Sequence, residues 1–328
     1  MLEYLQFACI RAFANTSLHV KRSAWLSPQT QPNRIKSYPC RPNLYSCRIF
    51  TPPNHSEQGQ TILPLVISVH GGGFIVNAPA FDDPMARHIA DHANCIVVSI
   101  DYGKSPQSKF PGAYDDVMEQ SLAIIDDPEL PIDKSKVVLC GSSAGGNLVL
   151  AVAQDPKLRP KLRGVAAIYP LVDMTEDAKT KMATRPDSSV PDFVGDSLDT
   201  IYGLYFDAAE KSKLSLKDVR ISPTYFSSRE SLPQEILLIG AEHDMVCHED
   251  EIMADKLAAA SADKKVATKN GWKAPGVEWY KVHGQKHAFN AFPEKDPDVE
   301  KVRVRETDAM FSSISEWLVD TFANNRET

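Results

Sequence analysis

The sequence predicts an α/β fold with a mostly parallel central sheet and helices on both faces. Three observations carry this. Short apolar runs alternate with helical stretches of about 10–15 residues. The runs LVISV, CIVVSI and KVVLC lack polar alternation, as strands buried on both sides do. Glycine-rich turns follow key runs, where a strand hands over to the next element.

Taken in order, Leu2, Leu5, Phe7, Ile10 and Phe13 recur at a roughly helical spacing, which predicts an amphipathic helix over Leu2–Ala14. Glu3, Gln6 and Arg11 interrupt any signal-peptide core there. Residues 23–64 are rich in Pro, Ser, Asn and Gln and hold only short strand candidates such as Leu44–Phe50. Strands are predicted at Leu65–His70, Cys95–Asp101, Lys136–Gly141, Gly164–Tyr169, Glu235–Gly240 and Glu278–Val282. Helices are predicted at Asp83–Ala93, Gly112–Asp126, Gly145–Ala153, Glu249–Ala260 and Val302–Phe322. Between Val172 and Tyr225 the rhythm breaks, with one helix candidate at Asp192–Phe206. That stretch reads as an insertion above the sheet rather than a separate domain. No internal repeat or low-complexity tract is visible.

The 328 residues carry 36 Lys and Arg against 43 Asp and Glu, a net charge of −7. Such mild acidity argues against nucleic acid as a partner. Mean hydropathy is −0.28, and no window approaches the ~18–20 apolar residues of a membrane span. The six cysteines are scattered, without a C-x-x-C pair. Cys95 and Cys140 fall inside apolar runs and read as core thiols, which favours a reducing compartment and a cytoplasmic location.

The chemistry-bearing motifs lie at the ends of the predicted strands. KVVLC runs into Gly141-Ser142-Ser143-Ala144-Gly145-Gly146 and then an apolar helix, which is G-x-S-x-G between strand and helix. A serine hydroxyl is a weak nucleophile until a base takes its proton, and a sharp turn exposes its Oγ. Ser143 is therefore the nucleophile candidate. Ser142, at the x position, should point elsewhere. His70-Gly71-Gly72-Gly73 follows LVISV, and its glycine N–H groups, with that of Ala144, could cradle a developing alkoxide. The oxyanion-hole candidates are thus Gly71, Gly72, Gly73 and Ala144, with His70 fixing the shape of the loop by hydrogen bonding. An acid and then a histidine are needed after late strands. Asp244 follows EILLIG, and His287 follows VEWYKV. Glu242 and Asp250 are reserve acids, and His283 is the competing base. The cluster His243, Asp244, His248, Glu249 and Asp250 matches no standard metal spacing, so neither a metal nor a cofactor is expected.

These residues together resemble the hormone-sensitive lipase family of α/β-hydrolases, which includes microbial carboxylesterases and plant carboxylesterase-like proteins. The matching motifs are His70–Gly73, Gly141–Gly145, Asp244 and Gly284–His287, in the order Ser, Asp, His. Asp101-Tyr102, Pro106, Pro111 and Asp116 are similar to the family's D-Y-R-L-A-P-E…P-A…D stretch. Ser142 stands where the family has Asp or Thr. Gly103-Lys104-Ser105-Pro106-Gln107 replaces R-L-A-P-E, so the Arg and Glu interactions there are expected to be lost. Asp244-Met245-Val246 replaces the D-P-L that follows the acid, and Ala262–Gly276 looks like an insertion between acid and base.

The resemblance implies an α/β-hydrolase fold with a helical cap. Residues 51–328 would form the catalytic domain with a cap insertion at about 172–225, and residues 1–50 would contribute to the cap. Phe74, Phe193, Tyr202, Tyr205, Phe206 and Phe289 would line the substrate pocket. The expected activity is a serine carboxylesterase acting on small to medium, fairly apolar carboxylic esters through an acyl-enzyme. Lactone or amide hydrolysis, acyl transfer and dehydratase-like elimination use the same site and stay open, as does a non-catalytic small-ligand receptor. Such receptors usually lack a triad member, whereas all three are kept here. A small-molecule ester is the expected partner, and a homodimer is left open.

Overall fold

The computed structural model describes residues 28–53, 61–192, 194–207 and 214–324. The helix expected over Leu2–Ala14 lies outside them, as does Phe193. The strands are β1 (Arg34–Lys36), β2 (Cys47–Phe50), β3 (Leu63–Val69), β4 (Ile96–Ile100), β5 (Ile132–Ser142), β6 (Gly164–Ile168), β7 (Glu235–Ala241), β8 (Val266–Thr268), β9 (Gly271–Ala274) and β10 (Val277–Val282). They form one sheet in the order β1-β2-β4-β3-β5-β6-β7-β10-β9-β8. The six strands from β4 to β10 pair in parallel. β1, β2, β9 and β8 add antiparallel edges.

Every residue of β4 and β6 is buried, because helices cover both faces of a parallel sheet. The helices are α1 (Asp83–Ala93), α2 (Gly112–Ile125), α3 (Ala144–Val152), α4 (Ala178–Met182), α5 (Leu198–Tyr205), α6 (Cys247–Leu257) and α7 (Pro297–Ala323). α1 packs with α7, α2 with α3, and α6 against β7 and β10. No described helix is long and apolar enough to cross a membrane. The five described cysteines are free thiols, with Cys95 and Cys140 fully buried in the core.

Two elements differ from the sequence reading. The Ala262–Gly276 segment holds β8 and β9, a hairpin that covers the open edge of β10. β8 is exposed along its length and carries no apolar alternation, so nothing in the pattern announced a strand. The helix predicted over Asp192–Phe206 begins only at Leu198. Asp192 instead turns its carboxylate onto the N–H groups of Val194 and Gly195. Asp side chains favour such local bonds over helix interiors.

Candidate active site

β5 runs into Ser143, and α3 begins at the next residue. Ser143 sits at φ 52° and ψ −120°, a region that costs a non-glycine residue about 1–3 kcal/mol. Its surroundings hold it there. Its N–H donates to the Ile168 carbonyl at 2.9 Å, and its own carbonyl accepts from Asn147 N–H at 2.9 Å. The buried Asn147 amide donates to the carbonyls of Leu171 and Ile221, at 2.6 and 2.8 Å. A Cβ on Gly145 would lie 2.0 Å from the Val69 carbonyl oxygen, so only glycine lets α3 approach β3 this closely.

Asp244 follows β7, and His287 follows β10. Both strands run parallel to β5, so all three side chains emerge at one end of the sheet. His287 Nδ1 lies 2.5 Å from Asp244 Oδ2, and Nε2 lies 2.8 Å from Ser143 Oγ. A carboxylate only accepts, so the network assigns the ring proton to Nδ1 and leaves Nε2 to accept from the serine hydroxyl. Asp244 Oδ1 also accepts from Val246 N–H at 3.1 Å. Burial lifts the Asp244 carboxyl above its ordinary range, while His287 draws it back. Burial opposes a charge on His287, but the Asp244 charge and hydrogen bond, with Asp192 behind them, raise its pKa above the usual histidine value.

The reserve candidates lie elsewhere. His283 is largely exposed and faces Glu242 at 3.3 Å. Glu242 accepts from Gly284 N–H at 2.7 Å. Asp250 is buried on α6 with no hydrogen-bond partner on either oxygen. Among the described residues no group of His, Cys, Asp and Glu is placed to hold a metal ion.

Gly71 is the exception among the four oxyanion-hole candidates. Its N–H donates to Ser142 Oγ at 3.1 Å, and its carbonyl accepts from Asn77 Nδ2 at 3.1 Å. Its donor is therefore occupied in shaping the loop. Gly72 at φ 129° and Gly73 at φ 59° continue the turn. His70 Nδ1 lies 2.7 Å from the Gly71 carbonyl, and its Nε2 lies 3.1 Å from Asp101 Oδ1. The cation expected to be lost with the family's Arg is supplied one residue later. Lys104 Nζ donates to Asp101 Oδ1 at 2.5 Å. Burial alone would raise the Asp101 pKa, but His70 and Lys104 lower it to about 2.

A cavity of about 540 Å³ opens at Ser143 and His287. Its apolar wall includes Ile75, Val76, Phe81, Val194, Ile201 and Phe292. Of the predicted pocket aromatics, the five described ones, Phe74, Tyr202, Tyr205, Phe206 and Phe289, do not line it. Phe74 stacks on Tyr205 at 4.0 Å, and Tyr205 packs on Phe110 and on Phe206, which Tyr202 meets edge-on. Phe289 packs under Tyr169. All five are buried, because large flat rings close the interior between cap segment and sheet better than smaller side chains do. Phe81 lies in a single 3-10 turn (Pro79–Asp82) and Phe292 directly follows another (Phe289–Ala291), segments too short to show periodicity, so no sequence signal marked them. Ile201 is on α5, within the predicted helix, but helical spacing does not say which face meets a cavity; its Cδ1 would sit 3.1 Å from a Cβ on Gly73.

A model of a family described as having the alpha/beta hydrolase fold matches residues 66–273. An arylesterase of Saccharolobus solfataricus is 30% identical over 256 residues, covering 77% of this chain and 75% of its own. A 3-O-acetylpapaveroxine carboxylesterase of Papaver somniferum is 36% identical over 118 residues, covering 31% of this chain and 38% of the relative. The match thus spans three quarters of the first relative but well under half of the second. The hyperthermophilic esterase of Pyrobaculum calidifontis superposes with a TM-score of 0.74 at 22% identity, covering 97% of this chain and 94% of that one. With the fold and these matches in place, the chain belongs to the hormone-sensitive-lipase, carboxylesterase-like family of α/β-hydrolases.

Proposed function

We propose that this carboxylic ester hydrolase is a serine carboxylesterase acting through an acyl-enzyme. The observation that carries the reading is the unbroken chain Ser143–His287–Asp244, at 2.8 and 2.5 Å, opening on an apolar cavity. Ser143 Oγ attacks the ester carbonyl while His287 Nε2 takes its proton. Asp244 fixes the tautomer and stabilises the imidazolium. The oxyanion is received by the N–H groups of Gly72, Gly73 and Ala144, and Gly71 holds the loop in shape. His287 returns the proton to the leaving alcohol, then activates water, which releases the acid and restores Ser143.

The described cavity lining contains no Lys, Arg, Asp or Glu, which supports neutral substrates of small to medium size. We assign the 172–225 segment as a cap, since its Val194, Ser197 and Ile201 line the same cavity as Ser143. A fluorophosphonate probe followed by peptide mapping tests the nucleophile. Label is expected on Ser143, and Ser143→Ala should remove labelling and lower kcat on a chromogenic short-chain ester by roughly 10⁴-fold or more. Turnover surviving in that variant would remove Ser143 from the mechanism.

A further inference from the structure

Two buried carboxyl groups, Asp244 and Asp192, act on the imidazole of His287, and a third, Asp250, is buried beside Asp244. Asp244 makes the hydrogen bond already described. Asp250 has no hydrogen-bond partner on either oxygen, and burial beside Asp244 pushes its carboxyl well above the ordinary range. Asp192 differs in kind. It comes from the segment between β6 and β7, and three backbone N–H groups point at its carboxylate. Oδ1 accepts from Val194 at 3.0 Å and Gly195 at 3.1 Å. Oδ2 accepts from Met245 at 3.0 Å.

Those contacts join two parts of the site. Met245 directly follows Asp244, and Val194 is a wall of the substrate cavity. One side chain thus spans from the cavity wall to the loop that holds the acid. Its charge also acts on both His287 and Asp244. Tyr169, whose ring lies 4.8 Å from the imidazole, feels the charges of Asp82 and Asp244, and Lys181 on α4, ion-paired with Glu249, feels that of Asp244.

We infer that Asp192 is a positioning residue, which pins the Asp244 loop to the cavity wall and supplies a second negative field that favours the His287 imidazolium. This rests on the reading of Ser143, His287 and Asp244 as the reacting chain. The imidazolium forms as Ser143 attacks, so a fixed anion nearby stabilises the transition state more than the ground state.

The test is the pH profile of Asp192→Asn. The base must be neutral to work, so kcat/KM rises with pH through the His287 pKa. Removing the Asp192 charge weakens the protonated form, and the acid limb should move to lower pH. Above that limb kcat should fall about tenfold with KM little changed. An unmoved acid limb overturns the inference, even if activity drops, because a purely structural role would lower activity without moving it. Where Asp192→Asn does not fold, Asp192→Ser keeps an acceptor and gives the same readout. A ¹⁵N titration of His287 in the Ser143→Ala protein, with and without Asp192→Asn, reads the shift without turnover. Fluorophosphonate labelling of the unaltered protein separates the two layers. Absence of label removes the reacting chain and this inference with it, whereas label with an unmoved limb removes only the role of Asp192.

Discussion

Ser143 is held at φ 52° by bonds from β6 and α3, and its hydroxyl faces a histidine that a buried carboxylate orients. The two histidines after β10 differ in this respect. His287 is buried between acid and serine, whereas His283 faces solvent and Glu242. His287→Ala should lower kcat by about 10⁴-fold or more, while His283→Ala should keep most of it, as measured on one ester at saturation. The reverse result would exchange their roles. Because the His287 pKa is raised, the neutral base is lost as pH falls, and kcat/KM should decline from a higher pH than an ordinary histidine would give. Residue types and chain order made Ser143, Asp244 and His287 readable as candidates, and the fold brings them within hydrogen-bond distance. Asp192 was not readable, since a single Asp in a polar insertion looks like any solvated turn residue.

At the scale of elements, α5 shows why the pocket aromatics were misplaced. Tyr202, Tyr205 and Phe206 carry the apolar spacing of a helix face, and spacing reports only that a face is buried. Whether it meets core or cavity depends on the elements opposite. Here Phe74, carried beyond the glycine loop at φ 62°, stacks on Tyr205 and fills that interior. Ile201, on the same helix, looks into the cavity instead. The two faces should separate by mutation. Tyr205→Ala should cost about 3–5 kcal/mol in denaturant unfolding and leave acyl-chain preference unchanged among molecules that stay folded. Ile201→Trp should shorten the longest acyl chain accepted, with little change in stability. A chain-length shift in Tyr205→Ala would return that ring to the pocket wall.

Across the whole molecule, buried acids set the response to pH. Burial raises the pKa of Asp250, Asp244 and Asp116. A carboxyl whose folded pKa is raised contributes more stability below that pKa and loses it as pH climbs through it. Asp101 is opposite. Lowered to about 2 from 3.8, it supplies about 2 kcal/mol that is present above pH ~4 and lost as pH falls through 2. The urea midpoint should therefore rise as falling pH protonates the raised carboxyls, then fall below about pH 4 as Asp101 is protonated. Asp250→Asn should flatten the first limb, and a midpoint that only falls from neutrality would refute the assignment. The sequence by itself determined the parallel core, the chain order of its six parallel strands, and three candidate side chains after β5, β7 and β10. Strand apolarity and glycine turns are local properties, and parallel pairing carries consecutive strand ends to one edge. Only the tertiary structure decided which rings fill the core, that β8 and β9 close the sheet edge, and that Asp192 meets the loop of Asp244. Those depend on contacts between residues far apart in the chain, where packing shape rather than local pattern chooses the partner.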